Sequence, residues 1–223
     1  MFIKIPDLLS GKQLDAVRSV LQQGSFVDGK LSAGKHARDQ KQNEELDSNQ
    51  DSYSALNDVI MTQLVQHPLY LQAALPAKIA APIYARYRAG MGYGEHIDDA
   101  LMGPAHARYR SDISITIFFS NPEEYRGGEL RISDNGEVSE IKLPAGHAIL
   151  YPSSSLHSVK AVDEGERLVA VTWVQSHIRR ADQRELLMQL DQSRQLLSGE
   201  AAVSARQKID QCYANLFRMW AEL

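Results

Sequence analysis

Apolar positions along this chain fall into three textures. Behind Ser10, a good N-cap residue, Leu14, Val17, Val20 and Leu21 recur at helical spacing until Gly24 stops the repeat. A second helix is predicted over 53–66, with Leu56, Val59, Ile60 and Leu64 on one face and His67-Pro68 at its end. Residues 69–75 add a helical turn. Between the two helices, Phe26-Val27 reads as a short strand, and 28–52, rich in Gly, Ser, Asn and Gln, as a long surface loop.

After Pro76 the period shortens to two. Residues 79–88 are strand-like, with Pro82 marking an edge position or a bulge. SDISITIFFS alternates Ile113, Ile115, Ile117 and Phe119 with smaller or polar residues, the pattern of a half-buried strand. Residues 129–132 and 137–143 flank Asp134-Asn135-Gly136, a hairpin turn. Further short strands are predicted at 148–151, around 157–162 and over 167–174. Past Ile178 the helical period returns. Leu186, Leu187, Leu190 and Leu197 form one stripe, Ser198-Gly199 breaks it, and Ile209, Tyr213, Leu216, Phe217 and Trp220 form another. The apolar face of this helical hairpin needs cover, from the sheet or from a second copy of the chain as a homo-oligomer.

Together these textures predict a mostly β protein with flanking helices. Many short strands with Gly and Pro punctuation make a jelly roll the natural core. The expected division is an N-terminal helical support region at 1–76, a core at 77–178 and a C-terminal helical extension at 179–223.

Composition narrows the chemistry. The net charge of −4 over 223 residues lacks the basic footprint of a nucleic-acid binder. No apolar run approaches the ~18 residues of a membrane span, and the polar start MFIKIPDLLSGKQLD holds no signal-peptide core. The single cysteine, Cys212, excludes an internal disulfide and a thiolate cluster, so a cytoplasmic location is expected. No nucleophile motif such as GxSxG is present.

The candidate chemistry lies in YGEHIDDAL. His96 and Asp98 are two apart, so on an extended chain they aim to one side. With seven histidines and 28 acids, one His-x-acid pair is expected by chance and one is found, so the pair needs company. His157, in LPAGHAILYPSSSLHSV, is the candidate third ligand. Two histidines and a carboxylate form the facial triad of non-haem Fe(II) oxygenases. Ten residues on, Arg167 offers a two-pronged cation for the distal carboxylate of a co-substrate such as 2-oxoglutarate. Tyr87 can add a phenol to the same carboxylate. His106, Arg108 and Arg110 occupy the loop after His-x-Asp, where they either reach substrate or are merely solvated. His147 reads as a structural turn residue, and His36, His67 and His177 have no partner pattern. Trp173 and Trp220 read as core or interface anchors.

RYRAGMGYGEHIDD, EYRGGELRI and LPAGHAILYPSSSLHSVKAVDEGERLVAVTW, in this order, resemble the prolyl-4-hydroxylase-like group of Fe(II)/2-oxoglutarate dioxygenases, and within it the bacterial PKHD-type, PiuC-like hydroxylases associated with iron uptake. The resemblance implies a double-stranded β-helix core. It implies one Fe(II) per subunit on His96, Asp98 and His157, 2-oxoglutarate on Arg167 with Tyr87 as accessory, and ascorbate to re-reduce the iron. It implies hydroxylation of a peptidyl-prolyl-like or small-molecule substrate. The rival readings are a zinc-dependent hydrolase, since zinc also accepts two histidines and a carboxylate; a sugar-binding or isomerising cupin, whose usual His-x-His with a later Glu is absent; and a non-catalytic cupin-like binding module, against which the intact triad with Arg167 counts.

Overall fold

The computed structural model describes residues 2–222 apart from 33, 35–37 and 135. The N-terminal part contains β1 (Ile3–Ile5), α1 (Gly11–Gln23), β2 (Phe26–Asp28), β3 (Lys41–Gln42), β4 (Glu44–Leu46), α2 (Asp51–Gln66) and α3 (Pro68–Ala74). Ser10 caps α1 as its sequence predicts, in a reciprocal box with Gln13. The strand region follows with β5 (Pro76–Ile79), β6 (Ile83–Arg88), β7 (Gly92–His96), β8 (Leu101–Met102), β9 (Tyr109–Arg110) and β10 (Ile113–Phe118). It continues through β11 (Tyr125–Gly127), β12 (Leu130–Asp134), β13 (Glu137–Ile141), β14 (Ala148–Pro152), β15 (His157–Val159) and β16 (Val162–Ser176), and the chain ends with α4 (Ala181–Leu196) and α5 (Val203–Trp220).

Two antiparallel sheets face each other. The larger runs β1-β14-β10-β16-β6-β4-β2, with β5 and β11 also paired to β16; the smaller runs β13-β12-β15-β7-β3. Strands from the first 76 residues therefore join both sheets. Between the sheets lies one apolar cluster, including Phe118, Ile149 and Val169 from the larger and Leu130, Ile132 and Val159 from the smaller. A second cluster packs α1, α2 and α3 on the outer face of the larger sheet, where Ile113, Ile115, Ile117 and Leu150 meet Val17, Leu21, Ile60, Leu64 and Tyr70. This is the jelly-roll arrangement of a double-stranded β-helix, backed by helices on one side.

Pro82 marks a bulge. Val174 pairs with Ile79 and Val171 with Ile83, so three steps along β16 face four on its partner. The hairpin of β12 and β13 forms as expected, with Asn135 outside the described residues. Two expectations need correction. β10 is not half-buried: Ser114 and Thr116 are as buried as the isoleucines between them, because they face the second sheet and not water. The segment 28–52 is not wholly a surface loop either, although many of its described residues are exposed. It forms β3 and β4, and Lys41, Asn43, Glu45 and Leu46 are buried.

The C-terminal helices form a hairpin against α3 and the end of the sheet. Leu187 packs on Leu75 and Ile178, while Tyr213, Leu216, Phe217 and Trp220 close over them. The buried face of α4 is Arg184, Leu187, Met188 and Asp191, and Leu186, expected in the stripe, is exposed. Among the described residues no helix is long and apolar enough to cross a membrane.

Candidate metal centre and its cavity

β7 and β15 are antiparallel neighbours, and their pairing sets His157 directly opposite His96. Opposed residues of an antiparallel pair present their side chains on one face. Asp98 follows β7 by two residues. His96, Asp98 and His157 each offer one ligand atom, and these atoms all lie within 4.8 Å of one another. His157 Nε2 is 3.8 Å from Asp98 Oδ1, and the two imidazole centroids are 4.2 Å apart. Tyr93 stacks on His96 at 3.7 Å, and Tyr151 meets His157 edge-on at 5.2 Å, so both rings are held from behind.

The hydrogen bonds define which atoms remain free. His96 Nδ1 lies 2.8 Å from the Gly94 carbonyl and His157 Nδ1 lies 3.0 Å from the Ser155 carbonyl. A carbonyl can only accept, so each Nδ1 carries a proton, and in a neutral imidazole of this tautomer the lone pair is on Nε2. Burial, followed by the neighbouring His157, lowers the pKa of His96 to about 4, which favours the neutral, ligating imidazole. Ser114 Oγ donates to Asp98 Oδ2 and is itself 2.7 Å from Ser153 Oγ. One carboxylate oxygen is thereby occupied and the other faces His157. Two neutral imidazole nitrogens and one carboxylate oxygen fit a divalent transition metal such as Fe(II).

A cavity of about 420 Å³ opens in front of this cluster, and Arg167 and Tyr87 line it too. Arg167, on β16, is 1% exposed, and its guanidinium sits 5.0 Å from the Tyr87 ring and 5.5 Å from the Phe118 ring. It forms no ion pair among the described residues, and its Nε has no hydrogen-bond partner. An uncompensated buried cation is costly, and a cavity beside it gives an anion access to it. Tyr87 lies opposite Arg167 in the β6–β16 pairing. Gly128, at φ +67°, leaves room for this arrangement: a Cβ there would sit 3.2 Å from Arg167 Cδ and 3.0 Å from Tyr125 and Val162 side-chain carbons.

All five residues singled out in the sequence thus border one cavity. Others go elsewhere. Arg110 is a structural tie, donating to Asp112 at 2.6 and 3.0 Å and to Glu222 at 2.6 Å, whereas His106 and Arg108 are exposed. His147 lies 3.4 Å from Asp7, His177 packs near Phe217, His67 caps α3, and His36 lies outside the described residues. Trp173 lines the cavity, which its reading as a core anchor did not anticipate. Sequence reasoning also missed Lys41, Asn43 and Glu45, which border the cavity from the segment read as a loop. Their alternation two residues apart was the available signal, masked because polar residues faced inward.

Comparison with known proteins gives the family and the fold. Residues 82–175 match the family model of the 2OG-Fe(II) oxygenase superfamily. The chain is 44% identical to a PKHD-type hydroxylase of Thioalkalivibrio sulfidiphilus and 41% identical to one of Paraburkholderia phymatum, each alignment covering 100% of both chains. Among solved structures, a Pseudomonas putida prolyl-4-hydroxylase superposes with a TM-score of 0.55 at 15% identity, over 78% of this chain and 92% of that one. A Trichoplax adhaerens prolyl hydroxylase, in complex with a hypoxia inducible factor peptide fragment, superposes with a TM-score of 0.56 at 16% identity, over 83% and 86%. These two share the fold. With full-length identity above 40% to its curated relatives, the chain belongs to the PKHD-type hydroxylases, Fe(II)- and 2-oxoglutarate-dependent dioxygenases of the 2OG-Fe(II) oxygenase superfamily.

Proposed function

We propose that His96, Asp98 and His157 hold the Fe(II) ion and that Arg167, with Tyr87, binds the distal carboxylate of 2-oxoglutarate. One observation carries this reading: a buried guanidinium with no ion-pair partner shares a single cavity with three converging metal-ligand atoms. When bound, Fe(II) and 2-oxoglutarate supply dioxygen activation, one oxygen atom going to succinate as CO2 leaves and the other entering a substrate C–H bond.

The side chains supply placement. The Nδ1–H bonds to Gly94 and Ser155 aim both imidazoles, and the Ser153–Ser114 pair aims Asp98. Arg167 presents a planar fork to a carboxylate, and the Tyr87 phenol, kept protonated by burial, donates beside it. Tyr93, Tyr151 and the apolar walls limit water around the metal site. Ascorbate keeps the iron ferrous between turnovers. The cavity opens to a substrate that is a peptide segment or a small molecule, and the peptide-bound Trichoplax adhaerens enzyme of the same fold supports the former. Cys212, free and exposed, supports a reducing cytoplasmic setting. A zinc hydrolase would have no use for the buried Arg167.

Oxygen consumption and succinate release, measured with Fe(II) and 2-oxoglutarate in the presence of candidate peptides, test this reading. Turnover should require both additions. Equal turnover of substrate with zinc and without 2-oxoglutarate would replace it with hydrolysis.

A further inference from the structure

Between β3 and β4 the chain crosses from the smaller sheet to the larger. Lys41 lies opposite Tyr93 of β7, and Glu45 opposite Ala85 of β6. Lys41, Asn43 and Glu45, alternate residues of this crossing, are all buried and all border the cavity. Lys41 and Glu45 neutralise each other, and the Ser32 hydroxyl bonds both at 2.8 Å. Asn43 has no such arrangement. It is 4% exposed, and neither its Oδ1 nor its Nδ2 has a hydrogen-bond partner among the described residues. An amide withdrawn from water with both polar atoms idle is unfavourable, and such groups in native proteins call for an explanation.

Strand register says what Asn43 adjoins. Glu44 pairs with Arg86, so the preceding residue falls beside Tyr87, and Tyr87 in turn faces Arg167. The residue leading into β4 and its neighbours on β6 and β16 thus line up an amide, a phenol and a guanidinium. Gly29 sets the attitude of the amide: a Cβ there would overlap Asn43 Oδ1 at 1.9 Å, so the oxygen backs onto glycine and the NH2 lies on the opposite side.

We propose that Asn43 is a third co-substrate-binding residue, whose NH2 donates to the distal carboxylate of 2-oxoglutarate alongside Arg167 and Tyr87. This rests on the reading of Arg167 as the carboxylate anchor and adds to it. A carboxylate has about four lone-pair directions; the arginine fork takes two and the phenol one, leaving one for the amide. A neutral donor there completes the shell without a second positive charge, so one anion balances one cation.

Calorimetric titration of the Mn(II)-loaded protein tests the assignment without turnover. The ligands are 2-oxoglutarate and 2-oxopentanoate, which has the same keto-acid end but a methyl in place of the distal carboxylate. Asn43→Ala should weaken 2-oxoglutarate about tenfold, the worth of one hydrogen bond to a charged group, and leave 2-oxopentanoate unchanged. Asn43→Asp, nearly isosteric, should weaken 2-oxoglutarate further, by about a hundredfold, because carboxylate then faces carboxylate. Mn(II) affinity should be unaltered in both. Wild-type affinity for 2-oxoglutarate in both variants, or equal loss of the two keto acids, would overturn the assignment. Failure of the wild type to bind 2-oxoglutarate, or undiminished binding by Arg167→Met, would instead remove the anchor beneath it.

Discussion

β10 has two buried faces with opposite chemistry. On one, Ile113, Ile115 and Ile117 meet the N-terminal helices in an apolar cluster. On the other, Ser114 and Thr116 look toward the second sheet, where Ser114 holds Asp98 and Thr116 borders the cavity. The same division separates two buried arginines. Arg184 is 2% exposed, and its Nη1 donates to the Ile178 and Arg179 carbonyls at 2.8 and 2.7 Å, although its Nε, like that of Arg167, has no partner among the described residues. Neither forms an ion pair among the described residues, but Arg167, equally buried, has no carbonyl acceptor and faces the cavity of about 420 Å³. Burial alone therefore does not tell structure from function. What distinguishes Arg167 is the large cavity in front of it and the absence of a carbonyl to receive its N–H groups.

The contrast can be broken most severely at the proposed metal ligands. Asp98→Ala should abolish stoichiometric Fe(II) binding, read by metal analysis after anaerobic loading, with little loss of melting temperature because Asp98 borders the cavity instead of filling an apolar core. Ile117→Ala on the outer face should do the reverse. It should cost about 2–5 kcal/mol in urea unfolding, the usual range for a large-to-small core change, while 2-oxoglutarate affinity is retained.

Arg167→Met should raise the 2-oxoglutarate concentration required by roughly a hundredfold, as expected for losing a charge-assisted bidentate contact. Its stability should hold or rise, since replacing an uncompensated buried charge with an apolar group is often neutral or stabilising. Arg184→Met should instead lose about 1–3 kcal/mol of stability, because two carbonyls are left unpaired, without altering co-substrate binding. The smallest effect is expected at Ser114→Ala. Fe(II) affinity should fall roughly tenfold as Asp98 loses its orienting hydroxyl, measurable by competition with a metal indicator, and Ser153→Ala should fall less.

Much of this was legible in the sequence because strands obey a period of two and helices one of 3.6. The isoleucines of β10, the Ser10 cap and the interruption at Pro82 each follow a local rule. His96, Asp98 and His157 were legible because their residue types match a metal-ligand pattern, and Arg167 because it enters a strand at a suitable distance from His157. The segment containing Lys41, Asn43 and Glu45 was not. Its inward positions face a polar cavity, so the usual equation of polar with exposed is inverted there. The serine pair behind Asp98 escaped notice for the same reason: small hydroxyls on a strand look like its solvent side. The exposed Leu186 on α4 shows the converse, an apolar residue of the expected stripe that points outward while the charged Arg184 and Asp191 of the same helix are buried.

The most direct test is an anaerobic optical titration. Addition of 2-oxoglutarate to the Fe(II)-loaded wild-type protein should produce the weak visible charge-transfer band of a keto acid chelated to ferrous iron. His157→Ala should give no band, and Arg167→Met should give it only at much higher 2-oxoglutarate. A band of wild-type strength and midpoint in both variants would show that iron and co-substrate bind elsewhere, and would contradict the assignment of the cavity.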